Sequence, residues 1–508
     1  MPATPRRLLS LAAAAVLLLG ACGDGGHKAT KSSSSSSSSS ATTTTSSAAA
    51  PTVTSGPSGF TPEPVSWKKC TDGSGLDCAT LSVPLDYSDL GGDRITLGLV
   101  RRRARDSSQR IGSLLVNPGG PGGSGIDFVK SGSIFTTAVQ DRFDIVGFDP
   151  RGVGESDQVP CATQTVDDLR AQDSSPDTPA EQQQLDDAAK ALADDCAQHA
   201  GTLLPHIGTD DVVRDMDTIR AAVGDDKLTY AGFSYGTLLG LRYLALFPTH
   251  ARAIYIDGVV DPTQDFVGFL TGQTRAIDAR MQQIFDACPA GQSGCPDIGA
   301  GPAYDQLATQ VETQPLPADR GKVVDPTALA TAAILTTYVE SFSATFYAAL
   351  TDGLQGDGTA LRKMADAYYD EGAFASYAGV ECIDSPHPVG ADAFKKFADD
   401  LTGISPRFGG AIANELVPCA FWPAPVKSVL GDVVAPDGPP TLVVGTTNDS
   451  ATPYEQAVRV AKTLAHGRLV TFDGNQHTSL GASTCTANIA AHYLVDLELP
   501  DDGTVCKR

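Results

Sequence analysis

The chain contains no C-x-x-C pair, so its cysteines lack the ligand spacing of a zinc ribbon. It is also short of positive charge: 37 lysines and arginines stand against 60 acidic residues, a formal net charge of -23. That balance argues against nucleic acid as a partner, because phosphates demand a basic face. We read the acidity as a solubility feature. Nor is there an apolar run long enough to cross a bilayer. Residues 8–19, the longest candidate, supply about 12 residues where about 20 are needed. What is present is the composition of a soluble globular protein, 41% hydrophobic and 19% charged, with ample material for a core. A length of 508 residues admits roughly two or three domains.

The N-terminus reads as an export signal, with Arg6 and Arg7 ahead of the short apolar stretch. Leu19-Gly20-Ala21-Cys22 follows and resembles a bacterial lipobox, which implies a lipidated Cys22 and attachment to the outer face of the cell membrane. A plain secretory signal is the alternative. Setting Cys22 aside leaves ten of the 11 cysteines, an even number that suits an oxidising compartment. Pairing in chain order gives Cys70–Cys78, Cys161–Cys196, Cys288–Cys295, Cys382–Cys419 and Cys485–Cys506. Residues 23–60 form a tether rich in serine, threonine and alanine, including an unbroken serine run over 32–40. Such a segment cannot bury enough apolar surface to offset its ordering entropy.

From Trp67 onward, strand and helix patterns alternate. Strands are expected at 95–103, 112–117, 143–148, 227–231, 253–257, 441–445 and 468–472. Helices are expected at 209–223, where Val212, Val213, Met216, Ile219 and Ala222 share a face, and at 237–247, which Pro248 stops. This alternation implies an α/β fold with a mostly parallel central sheet and helices on both faces. Residues 262–437 break the rhythm with helix-like segments at 266–287, 326–350 and 359–369. We expect them to form a helical cap inserted between a first catalytic part, 61–261, and a second, 438–508.

Gly232-Phe233-Ser234-Tyr235-Gly236 is a G-x-S-x-G sequence between an expected strand and an expected helix. A sharp strand-to-helix turn holds such a serine exposed at the rim of the sheet. A serine hydroxyl needs a histidine to take its proton and an acid to orient that histidine. In α/β-hydrolases the chain order is Ser, then Asp or Glu, then His. Asp449 and His477, each just past a late strand, satisfy that order. Asp257 competes for the acid role, while Asp473 reads as a turn residue. His492 lies within an expected helix and His466 at the end of one. His206 and His387 precede the acid. For the oxyanion, one donor is the amide of Tyr235. The other comes from Asn117-Pro-Gly-Gly-Pro-Gly-Gly-Ser-Gly125, with Gly120 first and Gly119 second. That loop has no G-K-[ST] ending, so a P-loop phosphate cradle is discounted.

Several motifs resemble one family. Pro118-Gly-Gly-Pro-Gly-Gly is similar to the His-Gly-Gly-Pro loop of prolyl aminopeptidases, with Pro118 where they carry histidine. Asp149-Pro-Arg-Gly-Val-Gly-Glu-Ser156 looks like the segment after their next strand. Together with Gly-Phe-Ser-Tyr-Gly, Asp449-Ser-Ala-Thr-Pro453, Trp67-Lys-Lys-Cys70 and Val83-Pro-Leu-Asp-Tyr87, the set resembles secreted bacterial tripeptidyl aminopeptidases. The likeness runs from Trp67 to the C-terminus and is thin in the cap. It implies an α/β-hydrolase fold and a cofactor-free, metal-free serine exopeptidase that releases short peptides from free N-termini. Peptides are then the expected partners and a monomer the expected state. Such an enzyme needs a partner for the substrate ammonium, and a buried carboxylate is the natural one. Within Gly379-Val-Glu381-Cys382-Ile-Asp384 we assign that role to Glu381, with Asp384 as the alternative. Two other readings stand beside this one: a carboxylesterase or lipase with the same triad, and a noncatalytic peptide-binding lipoprotein.

Overall fold

A computed structural model of the protein describes residues 59–369, 373–427 and 431–507. The leader, Cys22 and the tether up to residue 58 lie outside the described residues. The early strands are β1 (Lys68–Lys69), β2 (Asp77–Pro84), β3 (Arg94–Arg102), β4 (Gly112–Asn117), β5 (Phe143–Phe148), β6 (Leu228–Phe233) and β7 (Ala251–Asp257). A small separate ribbon pairs β8 (Leu316–Pro317) with β9 (Val323–Val324). The late strands are β10 (Thr441–Thr446), β11 (Gly467–Asp473) and β12 (Val505–Lys507). Ten of these form one sheet in the order β1-β2-β3-β5-β4-β6-β7-β10-β11-β12. The β1–β2, β2–β3 and β3–β5 pairs are antiparallel, and every pairing from β5 to β12 is parallel.

The sequence of the central strands explains their place. Every residue of β4, β5, β6 and β10 is buried, as expected where helices cover both faces. Successive side chains point to opposite faces. Leu114, Val116, Tyr255, Leu442 and Val444 join the core on one face with Tyr493 and Leu494. Leu115, Ile254, Ile256 and Val443 join the other, which continues into the inserted helices through Leu270, Leu329, Phe346 and Ile383.

β7 and β10 are parallel neighbours, with Ile254 opposite Thr441. The whole stretch between them therefore returns over one end of the sheet. Its longer helices are Phe266–Asp286, Ala300–Val311, Pro326–Tyr338, Ser343–Leu354, Thr359–Tyr368, Phe374–Asp384 and Ala391–Ile404. The single helix expected over 326–350 is two. Val339 is extended, with φ -132° and ψ 102°, although no glycine or proline marks the break. The interruption leaves the Tyr338 carbonyl free to accept the amide of His477 at 2.9 Å. A contact distant in sequence thus overrides local helix propensity. Helices Thr163–Arg170 and Pro179–Ala200, before β6, also join this layer. The intervening Ser174 bonds to Thr327 and Asn414 at 2.9 and 3.0 Å.

Five disulfides join the ten described cysteines in chain order, as the sequence suggests. They fit an exported protein. Among the described residues, no helix is long and apolar enough to cross a membrane.

Candidate active site

Ser234 lies between β6 and the helix Tyr235–Leu246, with φ 54° and ψ -127°. A serine is strained in that region, and its side chain is carried out of the sheet. Its own amide is held by the Asp257 carbonyl at 3.1 Å. The flanking glycines are explained by crowding. A Cβ on Gly232 would lie 2.3 Å from the Gly236 carbonyl oxygen, and one on Gly236 would lie 2.7 Å from that of Asn117. Tyr235 is the first residue of its helix, so its amide has no acceptor within it.

The loop after β4 lies against this turn. A Cβ on Gly119, whose φ is 96°, would meet Phe233 O at 2.4 Å and Ser234 Cβ at 2.9 Å. The two candidate glycines differ in one respect. The Gly119 amide donates to Asn117 Oδ1 at 2.9 Å, whereas that of Gly120 has no acceptor among the described residues.

His477 follows β11 and Asp449 follows β10. Nδ1 of His477 bonds to both Asp449 oxygens at 2.9 and 3.0 Å. The same carboxylate accepts the amides of Ala451 and Thr452 at 2.9 and 3.0 Å and the Thr452 hydroxyl at 3.0 Å. Burial alone would lower the His477 pKa. The charge and hydrogen bond of Asp449 outweigh it and hold the value above that of an ordinary histidine. The far nitrogen, Nε2, is buried without a partner among the described residues and lines the same cavity as Ser234. It is the ring atom available to a reacting hydroxyl.

Asp257, the rival acid, is occupied elsewhere. It accepts the amides of Ser479 and Leu480 at 2.9 and 3.0 Å, the Ser479 hydroxyl at 3.0 Å and the Tyr255 phenol at 2.9 Å. It therefore anchors the loop that follows His477. Asp473 meets the Thr447 hydroxyl at 3.4 Å. His492 points outward 3.9 Å from Glu498. The helix before His466 ends at Thr463, and the His466 ring contacts the Pro436 carbonyl at 3.1 Å. His387 contacts the carbonyls of Pro388 and Cys382, and His206 lies 4.0 Å from Asp211.

Ser234 and His477 open into a cavity of about 380 Å³ between the sheet rim and the inserted helices. Phe128, Phe233, Phe269, Tyr338, Tyr368 and Phe374 supply aromatic walls. Glu381, Asp384 and Glu415 stand on the inserted side, as does Asp265, whose side chain caps the helix Phe266–Asp286. Glu381 has no hydrogen-bond partner among the described residues. Burial, then Asp384 and Glu415, push its pKa up to about 8. Burial raises Asp384 to about 6 against hydrogen bonds from Thr209, and Glu415 to about 7 against one from Tyr368. Sequence reasoning missed Glu415, because a single acid in a helical stretch carries no local signal. Arg170 also lines the cavity, 4.1 Å from the centre of the Tyr369 ring. Among the described residues, no group of three or more His, Cys, Asp or Glu is arranged to hold a metal ion.

Sheet order, a serine on a strained strand-to-helix turn and a histidine–aspartate pair beyond later strands define the class: a serine hydrolase with the α/β-hydrolase fold. Known proteins narrow it. A family profile described as TAP-like protein matches residues 405–506. The chain is 35% identical over 482 residues to the serine protease Hip1 of Mycobacterium tuberculosis, covering 87% of this chain and 91% of that one. It is 35% identical over 453 residues to carboxylesterase B of the same organism, covering 84% and 86%. It is 32% identical over 456 residues to tripeptidyl aminopeptidase of Streptomyces coelicolor, covering 85% and 84%. The chain belongs to the tripeptidyl aminopeptidase-like family of α/β-hydrolases.

Proposed function

We propose that this protein is a serine exopeptidase that releases short peptides, tripeptides among them, from free N-termini. Ser234 attacks the scissile carbonyl while His477 Nε2 takes its proton. Asp449 orients the ring and stabilises the imidazolium that forms. The amides of Tyr235 and Gly120 face the tetrahedral oxyanion. His477 then protonates the departing amine, and water hydrolyses the acyl-enzyme. Glu381 takes the substrate ammonium, with Glu415 completing a negative wall. The observation that carries this reading is the meeting, in one cavity, of a buried histidine nitrogen and a half-buried Glu381 carboxylate, neither with a hydrogen-bond partner among the described residues. A carboxylate withdrawn from water without a partner is costly, and a cationic ligand relieves that cost.

Mass spectrometry of products from a mixed peptide library tests the reading. Short fragments should leave from the N-terminus of free peptides and not from N-acetylated ones. Internal cleavage, or none, overturns it. An ester-directed reading keeps the same residues, and the match to a protein named carboxylesterase B favours testing it. Turnover of p-nitrophenyl esters without any peptide cleavage would select that reading. A fluorophosphonate probe that failed to label Ser234 would leave only the noncatalytic one.

The protein is exported. We infer in addition that Cys22 is lipidated and that residues 23–60 hold the folded body away from the membrane surface, as a monomer that takes peptides and not nucleic acid. Mass spectrometry of the mature N-terminus checks the anchor. An unmodified N-terminus, or one that lacks Cys22, refutes it.

A further inference from the structure

The cap helix Phe374–Asp384 bears on both sides of the reacting centre. Near its start it packs on the glycine loop: a Cβ on Gly122 would lie 3.0 Å from Ala373 O and 3.2 Å from the Tyr377 amide. At its end, Asp384 meets the N-terminus of the helix Thr209–Ala222. Both Asp384 oxygens face the Thr209 amide, at 3.0 and 3.2 Å, and one accepts the Thr209 hydroxyl at 2.6 Å. The residue that would cap this helix from its own chain is Gly208, which has no side chain to do so. A Cβ there would stand 2.6 Å from Asp384 Oδ1. The glycine makes room, and a carboxylate from a distant segment fills the capping place.

The network has a direction. Thr209 has one hydroxyl proton and gives it to Asp384. The 2.6 Å contact between Thr209 and Tyr235 is therefore donated by the Tyr235 phenol. The receiving helix is itself rooted, because buried Arg151 grips Asp215 with two bonds of 2.7 Å. We infer that Asp384 is a positioning residue for turnover: through Thr209 it fixes Tyr235, whose amide faces the developing oxyanion. This rests on the reading of Ser234 as the nucleophile. The cap then contributes to the rate of the chemical step as well as to what enters, and Asp384 is withdrawn from ammonium binding because its oxygens are already engaged.

The test uses Thr209→Val and Thr209→Ser, assayed on one free peptide and one short ester, with melting temperatures recorded. Loss of a whole oxyanion donor costs about 10²–10³ in kcat, so a displaced one should cost about tenfold on both substrates with KM little changed. Thr209→Ser, which keeps the hydroxyl, should retain the wild-type kcat. A folded Thr209→Val protein with wild-type kcat overturns the inference. So does a rise in KM confined to the free peptide, which would make Asp384 an ammonium ligand. Ser234→Ala separates the two levels: if it keeps its activity, the site reading fails. If it is dead while Thr209→Val is normal, only the present inference fails.

Discussion

The rim of the sheet and the inserted helices both supply buried polar groups to one cavity, but they hold them differently. At the rim, Ser234 is fixed by the turn after β6 and Asp449 by the amides of its own loop, while His477 is held by the Asp449 carboxylate and by the Tyr338 carbonyl of an inserted helix. On the cap, Glu381 has no hydrogen-bond partner among the described residues, and Asp384 bonds to Thr209, 175 positions away. Local backbone geometry sets Ser234 and Asp449, whereas packing between segments sets His477, Asp384 and Glu381. Changes at the rim should therefore stop turnover on every substrate, whereas a change at Glu381 should shift selectivity alone and one at the Asp384–Thr209 contact should slow turnover.

The largest expected effect lies at the rim. Ser234→Ala or His477→Ala should lower kcat by about 10⁶ on every substrate. A residual rate within about tenfold of the wild type would break the comparison at once, since the rim would then not carry the chemistry.

Asp449→Asn should lower kcat by about 10⁴, because His477 loses both its orientation and its counter-charge. The same pair sets a pH limb. The base must be neutral, and Asp449 holds its pKa above the ordinary histidine value of about 6.5. In wild-type enzyme, kcat/KM on an ester should therefore climb as pH rises through a midpoint above about 6.5. A midpoint below that value contradicts the assignment.

On the cap, Glu381→Gln should cost about 10–100-fold in kcat/KM on free peptides, the worth of one charged hydrogen bond. The preference for a free over an N-acetylated N-terminus should collapse with it. Equal cleavage of the two forms by the variant and an unchanged preference in the wild type are the paired readouts. If the variant keeps its preference, Glu415 becomes the anchor to examine.

The smallest effect concerns stability. Glu381 ionises near 4.5 when unexposed to the fold and near 8 within it. Below that window it is protonated in both states. As pH rises, the unfolded chain gives up the proton first, so the fold loses stability up to about 8. Glu381→Gln should therefore gain more in melting temperature over wild type at alkaline than at acid pH. A gain that is equal at both would place the carboxyl in water.

Much of the rim was readable beforehand because its signals are local. G-x-S-x-G between strand and helix, the glycine run after β4 and two polar loops past late strands each announce a turn at a strand end. The edge strands were harder. β2 passed unremarked, and β12, three residues tied down by Cys485–Cys506, has too little sequence to declare itself. The helix break at Val339 was invisible because its cause is a bond to His477, far along the chain.

The alternating α/β plan and the placing of Ser234, Asp449 and His477 at strand ends were set by local sequence, since periodicity and turn chemistry act over a few residues. Tertiary packing pairs the cysteines, puts Asp449 rather than Asp257 beside His477, leaves the Gly120 amide without an acceptor among the described residues, brings Glu415 to the cavity and turns Asp384 toward Thr209. The polar outcomes among these depend on which distant donors compete for each polar atom, and that competition exists only after the segments have packed.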